Sequence, residues 1–143
     1  MLARIRKMQE ENEGGFTLIE LLVVMIIIGI LAAIAIPTFL NQRNNAYDSA
    51  TKADLKNAAT SVESYAVDND GSYTGIATGV ISTNASSNAQ LGGYHSSNNV
   101  TVTFTNVATN LYCISGINSK DSKTFYYSKT KGTVSTTDCT STG

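Results

Sequence analysis

From Leu18 to Ile36 the chain runs for about 19 residues with a single polar interruption, Glu20. A helix that is apolar all round has no water-facing side, so a small soluble domain cannot hide it along its whole length. The run is long enough to cross a bilayer, which takes about 20 helical residues. A lone carboxylate at its start opposes insertion by a few kcal/mol. Something must compensate that acid, and the options for doing so constrain the function.

The charges around the run set its direction. Arg4, Arg6 and Lys7 precede it, followed by Glu10, Glu11 and Glu13 and the pair Gly14-Gly15. Between Glu13 and Arg43, Glu20 is the only charged residue. A basic cluster ahead of the span belongs on the cytoplasmic side, which places the remainder outside. The net charge of −1 argues against nucleic-acid binding by bulk charge. Low charge and many Ser, Thr, Asn and Gly fit an extracytoplasmic surface. Beyond Pro37, the single proline, Tyr47, Ala50, Leu55, Ala58, Val62, Tyr65 and Ala66 recur at three- and four-residue steps. That spacing predicts one apolar helix face, with Asp48, Lys52, Asp54, Lys56 and Glu63 turned to water. Asp48 and Lys52 have the i,i+4 spacing of a supporting ion pair. The breakers Asp68-Asn69-Asp70-Gly71 end the helix, which from Phe16 would be about 80 Å long at 1.5 Å per residue.

Residues 74–99 are rich in Ser, Asn, Gly and Thr and read as a long surface loop with little fixed structure. Asn84 and Asn99 stand in Asn-x-Ser/Thr triplets, a weak signal in such a sequence. Val100, Val102 and Phe104 alternate with Thr101, Thr103 and Thr105, which predicts a strand. Leu111–Ile117, Thr124–Ser128 and Thr133–Thr137 are further strand candidates. The expected fold class is α+β. A long N-terminal helix has a protruding apolar half and an amphipathic half packed on a roughly four-stranded antiparallel sheet. The chain then divides into a leader (1–15), a membrane-spanning helix (16–37) and a globular domain (38–143). Within the last, 38–70 is helix, 71–99 loop, and 100–143 sheet and C-terminal loop. Cys113 and Cys139 follow the run. Export favours a disulfide between them, whereas a reducing cytosol would leave two thiols.

Three readings of the run compete. As a secretory signal it offers Ala33-Ile34-Ala35 for cleavage, but the acid inside it and the acids ahead of it are unexpected. As a plain anchor it leaves Glu20 without a purpose. In the third reading the leader is removed after Gly15, creating an α-amine on Phe16 that is mostly cationic at neutral pH. Amine and carboxylate neutralise each other in an apolar setting, where an unpaired charge is costly. If the amine belongs to a neighbouring copy, Glu20 fixes the axial register of an assembly of identical helices.

Gly15-Phe16-Thr17-Leu18-Ile19-Glu20 followed by the apolar stretch resembles the prepilin signature of type IV pilins and pseudopilins, with a type IVa-like order of helix, loop, sheet and terminal cysteine pair. The resemblance implies cleavage by a prepilin peptidase between Gly15 and Phe16, and N-methylation of Phe16. It gives Glu20 the pairing with a neighbour's N-terminus. Gly29 and Pro37 match positions where family helices loosen in the filament, and both residues weaken helices. Cys113 and Cys139 match the pair that closes the C-terminal loop. The implied protein is a structural subunit and not an enzyme, most readily a major pilin of a type IV pilus for adhesion, motility or DNA uptake. The alternatives are the major pseudopilin of a secretion or competence pseudopilus, and a membrane-anchored DNA- or surface-binding module. The implied partners are further copies of the chain, the peptidase, minor pilins, membrane lipid before assembly, and an inner-membrane platform driven by an ATPase. The implied location is the cytoplasmic (inner) membrane and then the extracellular filament. Stacking through a heterologous contact that does not close gives a helix.

Other constellations are weaker. His95, the single histidine, lies in polar loop sequence and reads as a solvated residue. Lys120, Lys123, Lys129 and Lys131 flank Tyr126-Tyr127, a composition able to hold DNA or another anionic surface on a host or abiotic partner. Edge lysines that deter aggregation explain it equally. No metal and no cofactor are assigned. Calcium at Asp68 and Asp70 is the alternative, because some pseudopilins hold calcium in this region, yet the later bidentate Glu of an EF-hand loop is missing.

Overall fold

A computed structural model describes residues 15–82, 88–108 and 110–139. The leader up to Gly14 and Asn84 lie outside those residues. The chain divides at Leu40/Asn41 into two units.

Helix α1 spans Leu18–Asp68 as one element, with Pro37 inside it. Pro37 removes the N–H that would reach the Ala33 carbonyl. One residue on, the Thr38 hydroxyl donates to the Ile34 carbonyl at 3.0 Å. At the far end the Gly71 N–H donates to the Ala66 carbonyl at 2.8 Å. Asp70 adopts the left-handed conformation there (φ 55°). This is a Schellman closure with aspartate in the place glycine usually takes.

In the first unit the apolar side chains of α1 from Leu18 to Leu40 are exposed, and none of the most hydrophobic window is buried. In the second unit the buried positions of α1 are Thr51, Asp54, Leu55, Ala58, Ala59, Val62 and Ala66. Three alanines in that stripe bring the helix backbone close to a sheet.

The sheet has five antiparallel strands in the order β1 (Gly79–Ser82), β2 (Val100–Ala108), β3 (Leu111–Asn118), β4 (Asp121–Ser128) and β5 (Val134–Ser135). The α+β expectation is therefore correct, with one strand more than the four expected. Val100, Val102 and Phe104 of β2, Tyr112 and Ile114 of β3 and Phe125 of β4 form the core with Leu55, Ala58 and Val62. Gly116 faces the same helix. A Cβ there would stand 3.0 Å from Leu55 Cγ and 3.1 Å from Thr51 Cγ2.

The other sheet face follows from the register. Val80 pairs with Thr103, Thr103 with Ser115, Ser115 with Tyr126, and Tyr126 with Ser135. The next row is Thr101, Ile117 and Thr124. The row beyond holds Thr105, Cys113 and Ser128. Cys113 and Ser128 are buried, because the C-terminal segment closes over this end through Cys139.

The stretch read as a loop with little fixed structure is corrected. It contains β1 and a 3-10 helix, Ala89–Leu91, capped by the Asn88 side chain. Its polar groups find partners on the helix. Tyr65 donates to the Thr74 carbonyl at 3.1 Å, and Tyr94 donates to the Asp54 carbonyl at 2.9 Å. The Ser97 N–H and hydroxyl donate to the Asp54 carboxylate at 2.8 and 3.0 Å. Asp54, expected in water, is buried for that reason. Glu63 is also turned inward: its carboxylate accepts the hydroxyls of Tyr73 and Tyr112, each at 2.9 Å. Asp48 and Lys52 still attract each other, but each has a nearer partner. Asp48 binds Lys123 at 2.9 Å, and Lys52 Nζ stands 4.7 Å from the Phe125 ring centre.

Candidate functional site

The first turn of α1 carries the candidate site. Thr17 is its N-cap. The Thr17 N–H and hydroxyl both donate to Glu20 Oε2 at 2.8 Å, and the Glu20 N–H donates back to the Thr17 hydroxyl at 3.3 Å. This is a reciprocal capping box, which satisfies donors that the first turn leaves open. Its signal was present in the sequence as Thr-x-x-Glu, and the reading of Glu20 as a register device overlooked it. Thr17 is thus a site residue that the prepilin pattern alone does not single out. Phe16, next to Gly15, is almost fully exposed.

Two roles now compete for Glu20, and magnitudes separate them. A capping box stabilises a helix start by about 1 kcal/mol. A charged side chain at the centre of a membrane-spanning helix costs about 2.5–3.5 kcal/mol on insertion scales, and Glu20 lies in the first turn. The cap shapes the helix start but does not offset the charge. Among the described residues Glu20 is in no ion pair. The amine that cleavage would create is absent while Phe16 remains joined to Gly15.

Gly29 and Pro37 both lie within α1. A Cβ at Gly29 would meet nothing within 4 Å, so among the described residues no packing contact demands glycine there. Cys113 and Cys139 form a disulfide with Cα atoms 5.9 Å apart.

The lysine–tyrosine group is dispersed rather than assembled. Lys123 is held by Asp48 and lies 3.7 Å from Asp121. Lys129 donates to the Tyr73 hydroxyl and stands over its ring. Lys120 and Lys131 are exposed. Tyr127 packs against the core, its ring stacked with Tyr112 at 6.3 Å, whereas Tyr126 lies on the opposite face. Asp68 and Asp70 flank the helix-ending turn, and among the described residues no three-ligand group includes either of them. His95 is exposed in the loop between the 3-10 helix and β2.

Residues 12–36 match the family model for the prokaryotic N-terminal methylation motif. Over 103 residues the chain is 41% identical to the type IV wide pilus major component PilA4 of Thermus thermophilus, covering 72% of each. Over 62 residues it is 40% identical to the type II secretion system core protein G of Pseudomonas aeruginosa, covering 43% of this chain and 44% of that one. It is 36% identical over 59 residues to the competence protein ComGC of Halalkalibacterium halodurans, covering 41% of this chain and 58% of that one. The chain belongs to the type IV pilin and pseudopilin family. Its α1 start carries the prepilin motif of that family, and the family is one of structural subunits.

Proposed function

We propose that the chain is the major subunit of a type IV pilus. A prepilin peptidase cuts between Gly15 and Phe16, and Phe16 is N-methylated. The subunit waits in the cytoplasmic membrane, with residues 16–37 in lipid and the second unit outside. An ATPase-driven platform extracts it, minor pilins accompany it, and the apolar segment becomes the core of an extracellular filament. That transfer exchanges lipid contacts for protein contacts, so little hydrophobic energy is gained and packing must supply specificity. The Phe16 amine of one copy pairs with Glu20 of the next and sets the stagger. Gly29 and Pro37 are the positions where α1 loosens on packing.

The observation that carries this reading is the first unit itself: exposed apolar side chains interrupted by one carboxylate whose hydrogen bonds provide no counter-charge. A pilus is favoured over a secretion or competence pseudopilus because the resemblance to the wide-pilus component covers 72% of the chain, against 43% and 41% for the other two. Electron microscopy of filaments sheared from cells with and without this protein tests it. Long filaments that vanish with the protein are expected. Filaments unchanged by its loss would refute the major-subunit role.

A further inference from the structure

Arg43 is the first charged residue after Glu20, and no residue from Leu21 to Gln42 carries a charge. The exposed apolar side chains of α1 continue past Pro37 to Phe39 and Leu40. From Leu18 to Leu40 the helix rises about 34 Å at 1.5 Å per residue. A bilayer has a hydrocarbon core of about 30 Å, with roughly 5–7 Å of headgroups on either side. For a helix near the bilayer normal, that layer takes in about five residues past Leu40.

Those residues are Asn41, Gln42, Arg43, Asn44 and Asn45, all of them exposed. They pass more than once round the helix. Every one bears a side-chain N–H donor, and none bears a carboxylate. The first acid beyond them, Asp48, is held by Lys123 at 2.9 Å. Arg43 itself is fixed. Its Nη2 donates to the Tyr47 hydroxyl at 2.8 Å, and its guanidinium stands 5.9 Å from that ring centre. Tyr47 is half-buried, so the long arginine side chain has already lost freedom that binding would otherwise cost. One of its five N–H groups is used, and the rest form a planar fork suited to two phosphate oxygens. Among the described residues Arg43 is in no ion pair. The collar is thus a donor ring of single positive charge at headgroup depth. A headgroup with a phosphodiester and no cation of its own matches it better than a zwitterion.

We propose that residues 41–45 form a headgroup site for an anionic phospholipid of the outward-facing leaflet. The Arg43 guanidinium takes the phosphodiester, and the neighbouring amides take ester and glycerol oxygens. The bound lipid fixes the depth of α1 and is released on extraction. The site rests on the membrane-span part of the function proposed above.

The test is solid-state NMR of the full-length chain in vesicles of mixed phosphatidylcholine and phosphatidylglycerol. Arg4→Lys and Arg6→Lys leave Arg43 as the single arginine, labelled at Cζ. Dephasing by the phosphatidylglycerol phosphorus is expected, at the Cζ–P distance of about 4 Å that a forked guanidinium–phosphate pair gives. No dephasing, or dephasing that only follows the abundance of the two lipids, would overturn the proposal. Native mass spectrometry from the same vesicles gives a second readout. Arg43→Gln should retain phosphatidylglycerol about tenfold less. Lys56→Gln, about 20 Å further along α1, should retain it as wild type does. Equal loss in both variants would show unspecific charge attraction and overturn the site, as would displacement of the lipid by inorganic phosphate. Vesicle flotation scores insertion separately, so failure of the span reading and failure of this one give different results.

Discussion

Glu63 shows how one side chain ties three elements together. It stands on α1 and accepts from Tyr73, ahead of β1, and from Tyr112 on β3. Burial pushes the Tyr112 phenol well above its ordinary value of 10.0, and the Glu63 hydrogen bond adds to that. Burial does the same for Tyr94, with the Asp54 charge adding to it. A phenol whose folded value is raised contributes stability that is complete below its unfolded value and is lost as pH rises through the folded one. Spectrophotometric titration should therefore show Tyr94 and Tyr112 ionising only with alkaline unfolding. The chain has seven tyrosines, and reversible ionisation of all seven in the folded chain would contradict this. Glu63→Ala removes the acceptor of both hydroxyls, with Lys129 still bonded to Tyr73, and should destabilise by about 2 kcal/mol, read by denaturant titration in detergent. Asp48 acts at the acid end. Burial works to raise its carboxyl, but the Lys123 hydrogen bond and neighbouring interactions hold it below 3.8. The contribution is present above 3.8 and fades as pH falls through the lowered value. Melting curves at falling pH should show wild type losing an advantage over Asp48→Asn, and a constant difference would refute the assignment.

At the scale of elements, α1 and the sheet are held by close approach. The alanine stripe and Gly116 allow it, and Gly116→Val would force Leu55 and Thr51 aside. A cost of about 1–3 kcal/mol is expected from overpacking, and an unchanged melting temperature would show that the contact is looser. The Cys113–Cys139 bridge closes a 26-residue separation. Its loss should destabilise by about 3.5 kcal/mol in the chain-entropy model, measured as the melting difference between oxidised and reduced protein. Much of this architecture was legible in the sequence. The 3.6-residue period fixed the helix, and strict Val/Thr alternation located β2 with its core and outer faces already sorted. The residues 74–99 were not legible, because their order comes from long-range bonds to Tyr65 and Asp54 and leaves no local period. The same cause hid the burial of Asp54 and Glu63: a carboxylate within a polar-looking stripe gives no sign of distant hydroxyl partners. Tyr126 and Tyr127 could be separated only once the β4 register was known, since adjacent strand residues face opposite ways. In the first turn the converse held. Thr17-x-x-Glu20 was a readable capping signal, overshadowed by the larger motif around it.

The molecule as a whole joins a unit whose apolar surface is exposed to one that is packed and disulfide-closed. In the proposed function the first is a membrane span and then a filament core, with cleavage at Gly15 as the step between. Gly15→Val should leave the leader attached, and mass spectrometry finding the mature N-terminus still at Phe16 would refute that. The central claim is that the charge of Glu20, and not its capping hydrogen bonds, orders the assembly. Glu20→Gln separates the two, since an amide oxygen can still accept from Thr17 while carrying no charge. The decisive measurement is filament yield by electron microscopy from cells expressing Glu20→Gln at wild-type levels in the membrane. Normal insertion with filaments absent or irregular is expected; wild-type filaments would show that Glu20 only caps the helix.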